Sequence, residues 1–322
     1  MKMYLTLKNI LKRERKVKTM FDIIIIGGGM AGMTASLYAL RNNKKVLLIE
    51  KESVGGQIAT SPKVENYPTY KSISGAELAD QLFEQILDLG VDFELENVLK
   101  IEKNNNIFKV TTDYNEYEAK AVILATGVKH RTLGIANEEA YIGKGVYYCA
   151  ICDGPFFKGK DVTLIGDANS AMQYALMLAS YCKTVNMFTL FDKFFGEKTL
   201  EDQVRATSNI KITHNVKAVE LKGENGLESI VFERNNKERF EHKTNAVFVA
   251  IGQIPDNKKF ENVVDIDKAG YISATESCET KTVGLFVAGD TRTKDISQVA
   301  TAVGDGATAA TKACKYLNGL GE

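Results

Sequence analysis

Six consecutive residues constrain this chain more than any others. Gly27-Gly28-Gly29-Met30-Ala31-Gly32 separates a short β-branched run, Phe21 to Ile26, from an Ala/Met/Leu-rich stretch that reaches about Arg41. A second apolar run, Val46 to Ile49, follows and ends in Glu50. Strand, glycine turn, helix, strand and terminal acid, in that order, predict a dinucleotide-binding unit. Gly27 permits the tight turn, Gly29 lets backbone amides approach a pyrophosphate at the helix N-terminus, and Gly32 lets the helix lie close on the strand. Glu50 is placed to accept hydrogen bonds from a ribose. A glycine triplet alone would be a weak sign; in this setting it outweighs a merely structural turn.

Between Phe93 and Val122, short alternating runs with an Asn-rich turn at Asn104 to Asn106 predict antiparallel strands, closing on the buried pattern Ala121 to Ala125 and the turn Thr126-Gly127. At Asp161 the grammar restarts: a strand Val162 to Ile165, a turn at Gly166, an apolar helix through Tyr181 and a strand Thr184 to Phe188. Polar strands at Lys211 to Lys222 and Ser229 to Phe240 follow, then a buried strand Ala246 to Ile251. Residues 285–315 close the chain with a strand, the turn Gly289-Asp290 and a long Ala-rich helix. The expected fold class is α/β with two Rossmann-like domains, the last segment free to return to the first.

The second unit is damaged at its turn. Its fingerprint positions read Gly166-Asp167-Ala168-Asn169-Ser170-Ala171. Ala168 puts a methyl where backbone should approach a pyrophosphate, and Asp167 adds a negative charge beside it. The next strand leads into Thr189-Leu190-Phe191, with no acid for a ribose and no arginine for a 2′-phosphate; Lys193 is the nearest cation. This domain is expected to keep the fold without holding a dinucleotide tightly.

The balance of the chain, 44% hydrophobic and 25% charged over 322 residues, is that of a globular protein long enough for two domains. Its 41 basic and 41 acidic side chains cancel, which removes bulk support for nucleic-acid or membrane partners. Residues 1–19 depart from the average, with seven basic side chains against Glu14, a net of +6 that leaves the remainder at −6. This basic N-terminal extension is expected to add nothing to the fold. Five cysteines are too few for a disulfide scaffold, and their odd number suits a reducing, cytoplasmic setting.

Cys149-Ala150-Ile151-Cys152-Asp153-Gly154 contains the one Cys-x-x-Cys of the sequence. Zinc would need about four ligands, yet there is no second pair and the three histidines, His130, His214 and His242, are scattered. No metal is expected. Against the bland alternative of two unconnected buried thiols, the pair can close a disulfide and exchange it through a thiolate, with Asp153 trading the proton. Two-electron disulfide chemistry fits a flavin better than a nicotinamide alone.

The glycine fingerprint, Gly55-Gly56-Gln57, Glu65-Asn66-Tyr67-Pro68, Ala125-Thr126-Gly127, the Cys149 to Gly154 motif and Gly289-Asp290 together resemble the low-molecular-weight thioredoxin reductases over about residues 20–320. The resemblance implies an FAD domain from 20–132 and 262–322, with a domain of residues 133–261 inserted into it and carrying the cysteines. It implies that Gly27, Gly29, Ala31, Gly32 and Glu50 hold the adenosine half of FAD. Gly56, Gln57, Asn66 and Gly127 would lie towards the ribityl and flavin half. Gly289 and Asp290 would meet the ribityl chain, and Gln298 with the Val299 amide the flavin ring. Cys152 would exchange electrons with the flavin, Cys149 would attack the substrate disulfide and Asp153 would be the acid/base. Homodimers are usual in the family, whose small domain rotates between two poses.

NADPH-using members carry an intact second glycine fingerprint and a His-Arg-Arg run after the following strand, and commonly an arginine where this chain has Ser297. The departures here resemble the ferredoxin-dependent flavin thioredoxin reductases, in which an iron-sulfur protein supplies single electrons. The expected function is reduction of thioredoxin, or a thioredoxin-like protein, with electrons from ferredoxin or a similar carrier. The competing readings are an NADPH-dependent reductase with a non-standard pocket and a non-catalytic flavin redox sensor.

Overall fold

The computed structural model describes residues 20–61 and 64–319, so the basic stretch 1–19 lies outside the described residues. Contacts divide the chain into two compact units. Among the described residues, the first comprises 20–54, 82–127 and 257–319; the second joins Gly55–Gln81 to Val128–Asp256.

In the first unit, strand β1 (Met20–Ile26) turns into helix α1 (Met30–Arg41) and returns as β2 (Val46–Glu50), parallel to β1. Ile23, Ile24 and Ile25 are fully buried, as in a parallel strand covered on both faces, where apolar residues run on instead of alternating. Helix α2 (Gly75–Asp88), whose first half groups with the second unit, leads into β3 (Asp92–Leu95), which pairs parallel with β2. The sequence reading placed this strand in an antiparallel set; the helical spacing of buried Leu78, Ala79 and Ile86 marks the crossover it missed. Strands β4 (Val98–Asn104), β5 (Ile107–Thr112) and β6 (Glu116–Leu124) do form an antiparallel meander. The second half of β6 lies between β1 and the C-terminal strand Leu285–Val287, parallel to both. Helix α6 (Val299–Gly319) closes the unit, packed so tightly on α1 that a Cβ on Gly306 would lie 2.2 Å from the Ala31 carbonyl oxygen.

The second unit contains a short antiparallel ribbon of β7 (Lys129–His130) with a strand at Gln253–Ile254. Its main sheet is parallel: β8 (Val146–Tyr147), β9 (Asp161–Ile165), β10 (Thr184–Phe188), β11 (Ile210–Thr213) and a strand at Val247–Val249. Helices α3 (Ala150–Asp153), α4 (Asn169–Ala179) and α5 (Lys198–Ala206) belong to it. Two expected strands are split. Asn215, at φ +59°, separates β11 from β12 (Val216–Lys222) and sends them to different sheets. A turn with Lys237 at φ +69° folds the other into a hairpin, β13 (Ser229–Arg234) and β14 (Arg239–Lys243). Asn enters the left-handed region at lower cost than most residues, so the first break has a local cause.

Candidate active site

The glycine turn of the first unit is built by close approach. Gly27 has φ +113°, and a Cβ there would lie 2.2 Å from the Ala125 carbonyl oxygen; one on Gly32 would lie 1.9 Å from that of Gly27. Gly29 caps α1 in an extended conformation without a side-chain cap, and no acid occupies the first turn. The leading N–H groups of α1 are thus left for an anion. Glu50 is fixed beside them, accepting from the backbone N–H of Gly28 at 2.7 Å and those of Lys51 and Glu52 at 2.8 Å each. Its two oxygens retain acceptor capacity for a ribose.

The other first-unit candidates gather on the same elements. Ala31 meets the C-terminal motif: a Cβ on Gly289 would lie 2.9 Å from that of Ala31. Gly127, at φ +62°, follows Thr126, whose hydroxyl lies 2.8 Å from that of Thr291. The Thr291 hydroxyl donates to Asn257 Oδ1 at 2.8 Å, and Asn257 Nδ2 donates to the carbonyls of Gly270 and Thr291. This buried polar node ties the Thr126-Gly127 turn to the Gly289-Asp290 turn. Gln298 and Val299 open α6, where the Gln298 N–H donates to Thr301 Oγ1. Asp290 Oδ1 is buried without a hydrogen-bond donor. Burial raises the Asp290 carboxyl above its ordinary range, with Lys294 and Ser297 opposing the rise.

Gly56, Gln57 and Asn66 fall in the second unit. Gly55 and Gly56 both have positive φ, and a Cβ on Gly55 would lie 2.7 Å from that of Ala79. Gln57 Nε2 donates to the Val128 carbonyl, while Asn66 is exposed. Here too stand the cysteines, joined as a disulfide with Cα atoms 5.3 Å apart. Cys149 caps α3, its Sγ accepting from the Cys152 N–H at 3.2 Å, and Ile151 between them is 41% exposed. Asp153 is buried with Oδ1 unpartnered, and burial pushes its carboxyl up to about 7. Such a group holds or releases a proton near neutrality.

Tyr148, next to Cys149 in the chain, joins a network that the sequence reading missed. Buried Glu138 accepts from the N–H of Leu133 at 2.9 Å, from that of Gly134 at 3.0 Å and from the hydroxyl of Tyr148, the neighbour of Cys149. His130 stacks on Tyr148 with ring centres 5.2 Å apart, and burial lowers the imidazole to about 4, so it is neutral at ordinary pH. Among the described residues no group of three or more His, Cys, Asp or Glu side chains could hold a metal ion.

The second turn keeps its geometry. Gly166, at φ +152°, approaches the Ala250 carbonyl as Gly27 approaches Ala125, with a Cβ there 2.4 Å from the oxygen. Beyond that the surroundings differ. The Phe195 N–H donates to the Asp167 carbonyl at 2.7 Å, and Asn169 Oδ1 accepts from the Glu197 N–H at 2.8 Å. Thr189 is buried and bonded to His214, whereas Leu190, Phe191 and Phe195 are each about half exposed. Phe191 and Phe195 meet edge to face at 5.0 Å, and Lys193 lies over the Phe195 ring at 5.5 Å.

The first unit therefore fits FAD on two counts: a glycine cradle that any Cβ would fill, and a buried Asp290 oxygen lacking a donor. The comparisons agree. The pyridine nucleotide-disulphide oxidoreductase family matches residues 21–306. A 34.2 kDa protein in a rubredoxin operon of Clostridium pasteurianum is 40% identical over 94% of this chain and 99% of its own length. Thioredoxin reductase of Bacillus subtilis is 38% identical over 94% and 96% respectively. The crystal structure of thioredoxin reductase from Streptococcus pyogenes superposes with a TM-score of 0.90 at 36% identity, covering 94% of this chain and all of that one. The chain belongs to the pyridine nucleotide-disulphide oxidoreductase family, among its low-molecular-weight thioredoxin reductases, and its cofactor is FAD.

Proposed function

We propose that this chain reduces the disulfide of thioredoxin, or of a thioredoxin-like protein, with electrons from a one-electron carrier of the ferredoxin type. The similarity to the Bacillus subtilis and Streptococcus pyogenes thioredoxin reductases supports the substrate. The observation that carries the donor is the second turn, where Ala168 and Asp167 replace pyrophosphate-binding glycine and Leu190, Phe191 and Phe195 present apolar surface where a 2′-phosphate needs cations. The Clostridium pasteurianum relative is described as a protein in a rubredoxin operon.

Bound FAD would supply sulfur with a pair of electrons from a donor of single electrons. The Cys149–Cys152 disulfide consumes those two electrons and two protons to become a dithiol. Cys149 as thiolate then attacks the substrate disulfide, and Cys152 attacks the mixed disulfide, closing the Cys149–Cys152 bond and releasing the substrate dithiol. The Cys152 N–H steadies negative charge on Cys149 Sγ, and Asp153 holds the proton moved in each half. Gly27, Gly29, Ala31, Gly32 and Glu50 take the adenosine half of FAD. Gly56, Gln57, Asn66, Gly127, Gly289, Asp290, Gln298 and Val299 take the remainder. We assign residues 20–132 and 262–322 to an FAD domain and 133–261 to the inserted domain; the contact breaks at Val128 and Asn257 support the insertion, while Gly55–Gln81 groups with the second unit. One dithiol serving two partners calls for rotation about those connections. Family habit supports a homodimer, and three buried free thiols suit a reducing cytoplasm.

Anaerobic mixing of the holoprotein with NADPH, NADH or reduced ferredoxin, followed at the flavin absorbance, tests the donor. Ferredoxin is expected to bleach the flavin and sustain thioredoxin turnover, with neither nucleotide doing so within minutes. Rapid bleaching by NADPH would establish the alternative, a nucleotide-dependent reductase with an unusual pocket, which the family's description favours. Bleaching by ferredoxin without turnover would point to a redox sensor.

A further inference from the structure

The first unit holds a cluster of two carboxylates and two enclosed cations that the disulfide chemistry leaves unused. Asp305, in the second turn of α6, accepts at Oδ2 from the Gly289 N–H at 3.1 Å, from Arg292 Nε at 3.0 Å and from Lys294 Nζ at 3.0 Å. Its Oδ1 accepts from a second Arg292 nitrogen at 3.1 Å. The Arg292 and Lys294 side chains are only 6% and 9% exposed. Cations so enclosed are tolerated when paired, and here they face two anions, Asp305 and Asp290. One valence is left open. Asp290 Oδ1 has no hydrogen-bond donor, and Lys294 Nζ, held by Asp305, stands 3.8 Å away.

A buried carboxylate oxygen without a donor is a loss unless one arrives from outside. Asp305 keeps Lys294 from donating to that oxygen by accepting its hydrogen bond. Without Asp305, Lys294 would close onto Asp290 and compete with an incoming hydroxyl; without Lys294, Asp290 would lose the nearby positive charge that keeps it an anionic acceptor. We infer that Asp305, through Arg292 and Lys294, is a positioning residue for the cofactor, presenting Asp290 as a free acceptor to a hydroxyl of the FAD ribityl chain. The inference rests on the proposed place of Asp290 at that chain and adds three residues to it.

Full-length apoprotein is titrated with FAD by flavin fluorescence and with ADP by calorimetry. Asp305→Asn is expected to weaken FAD at least tenfold and leave ADP, which reaches only the Gly27 and Glu50 end, within twofold. Lys294→Met, which deprives Asp290 of its counter-ion, is expected to do the same, and Lys294→Arg to restore most of the affinity. Equal loss of FAD and ADP would reveal general loosening and overturn the inference, as would unchanged FAD binding in both Asp305→Asn and Lys294→Met. Asp290→Ala separates the two levels. If it leaves FAD affinity intact, the placement of Asp290 falls; if it weakens FAD while the other variants do not, only the positioning role falls.

Discussion

Burial sets the chemistry of Asp153. Its folded carboxyl titrates near 7 against an ordinary value of 3.8, so between those limits the folded state binds the extra proton and stability declines as pH rises, levelling off above about 7. Asp153→Asn is therefore expected to raise the melting temperature at pH 8 while changing it little at pH 4. The same variant should lower thioredoxin turnover about 100-fold and flatten the pH–rate limb near 7. A melting temperature at pH 8 below that of the parent would show that burial is not what perturbs the group. Asp153 and the cysteines were legible in the sequence because their chemistry depends on residue type at short fixed spacing. Glu138 and Asp305 were not, because their partners converge only after folding. Asp305 did leave a trace: an acid between Gly304 and Gly306 is odd in an Ala-rich helix.

At the scale of elements, close approach is what the glycines contribute. With no room beside the Gly27 carbonyl, Gly32→Ala is expected to push α1 off β1, at a cost on the order of 2 kcal/mol of stability, and to weaken FAD at least tenfold. Retention of yellow colour through purification and an unchanged melting curve would refute the packing account. Both strand-helix-strand units could be read from glycine placement and continuous apolar runs, since parallel strands are buried on both faces. The crossover helix α2 left its sign in the helical spacing of Leu78, Ala79, Leu82, Phe83 and Ile86, which a reading centred on the glycine turns passed over. The split at Asn215 depends on one residue entering the left-handed region, which alternating hydrophobicity does not announce.

For the whole molecule, the two units have cores of their own: in the first, a cluster around Phe108, Val122 and Phe260; in the second, one around Leu164, Met172 and Phe248 and another around Phe188 and Phe232. Independent cores unfold as independent steps when the connections are few. Calorimetry of the apoprotein should then show two transitions, of which ADP raises only the one belonging to the first unit, by about 2.7 kcal/mol at a hundredfold excess over its dissociation constant. Movement of both transitions together would show that the units melt as one. That the fold repeats a Rossmann-like unit was legible in the repeated grammar, whereas the grouping of Gly55–Gln81 with the second unit was not, because it rests on contacts made only after folding. The three lone thiols bear on how this protein can be watched at work. Cys182, Cys278 and Cys314 are enclosed, and burial raises the thiol above its ordinary range in each. An alkylating dye applied under native conditions would consequently ignore them and tag Cys149 and Cys152 alone, making label uptake a direct gauge of how far the enzyme has been charged.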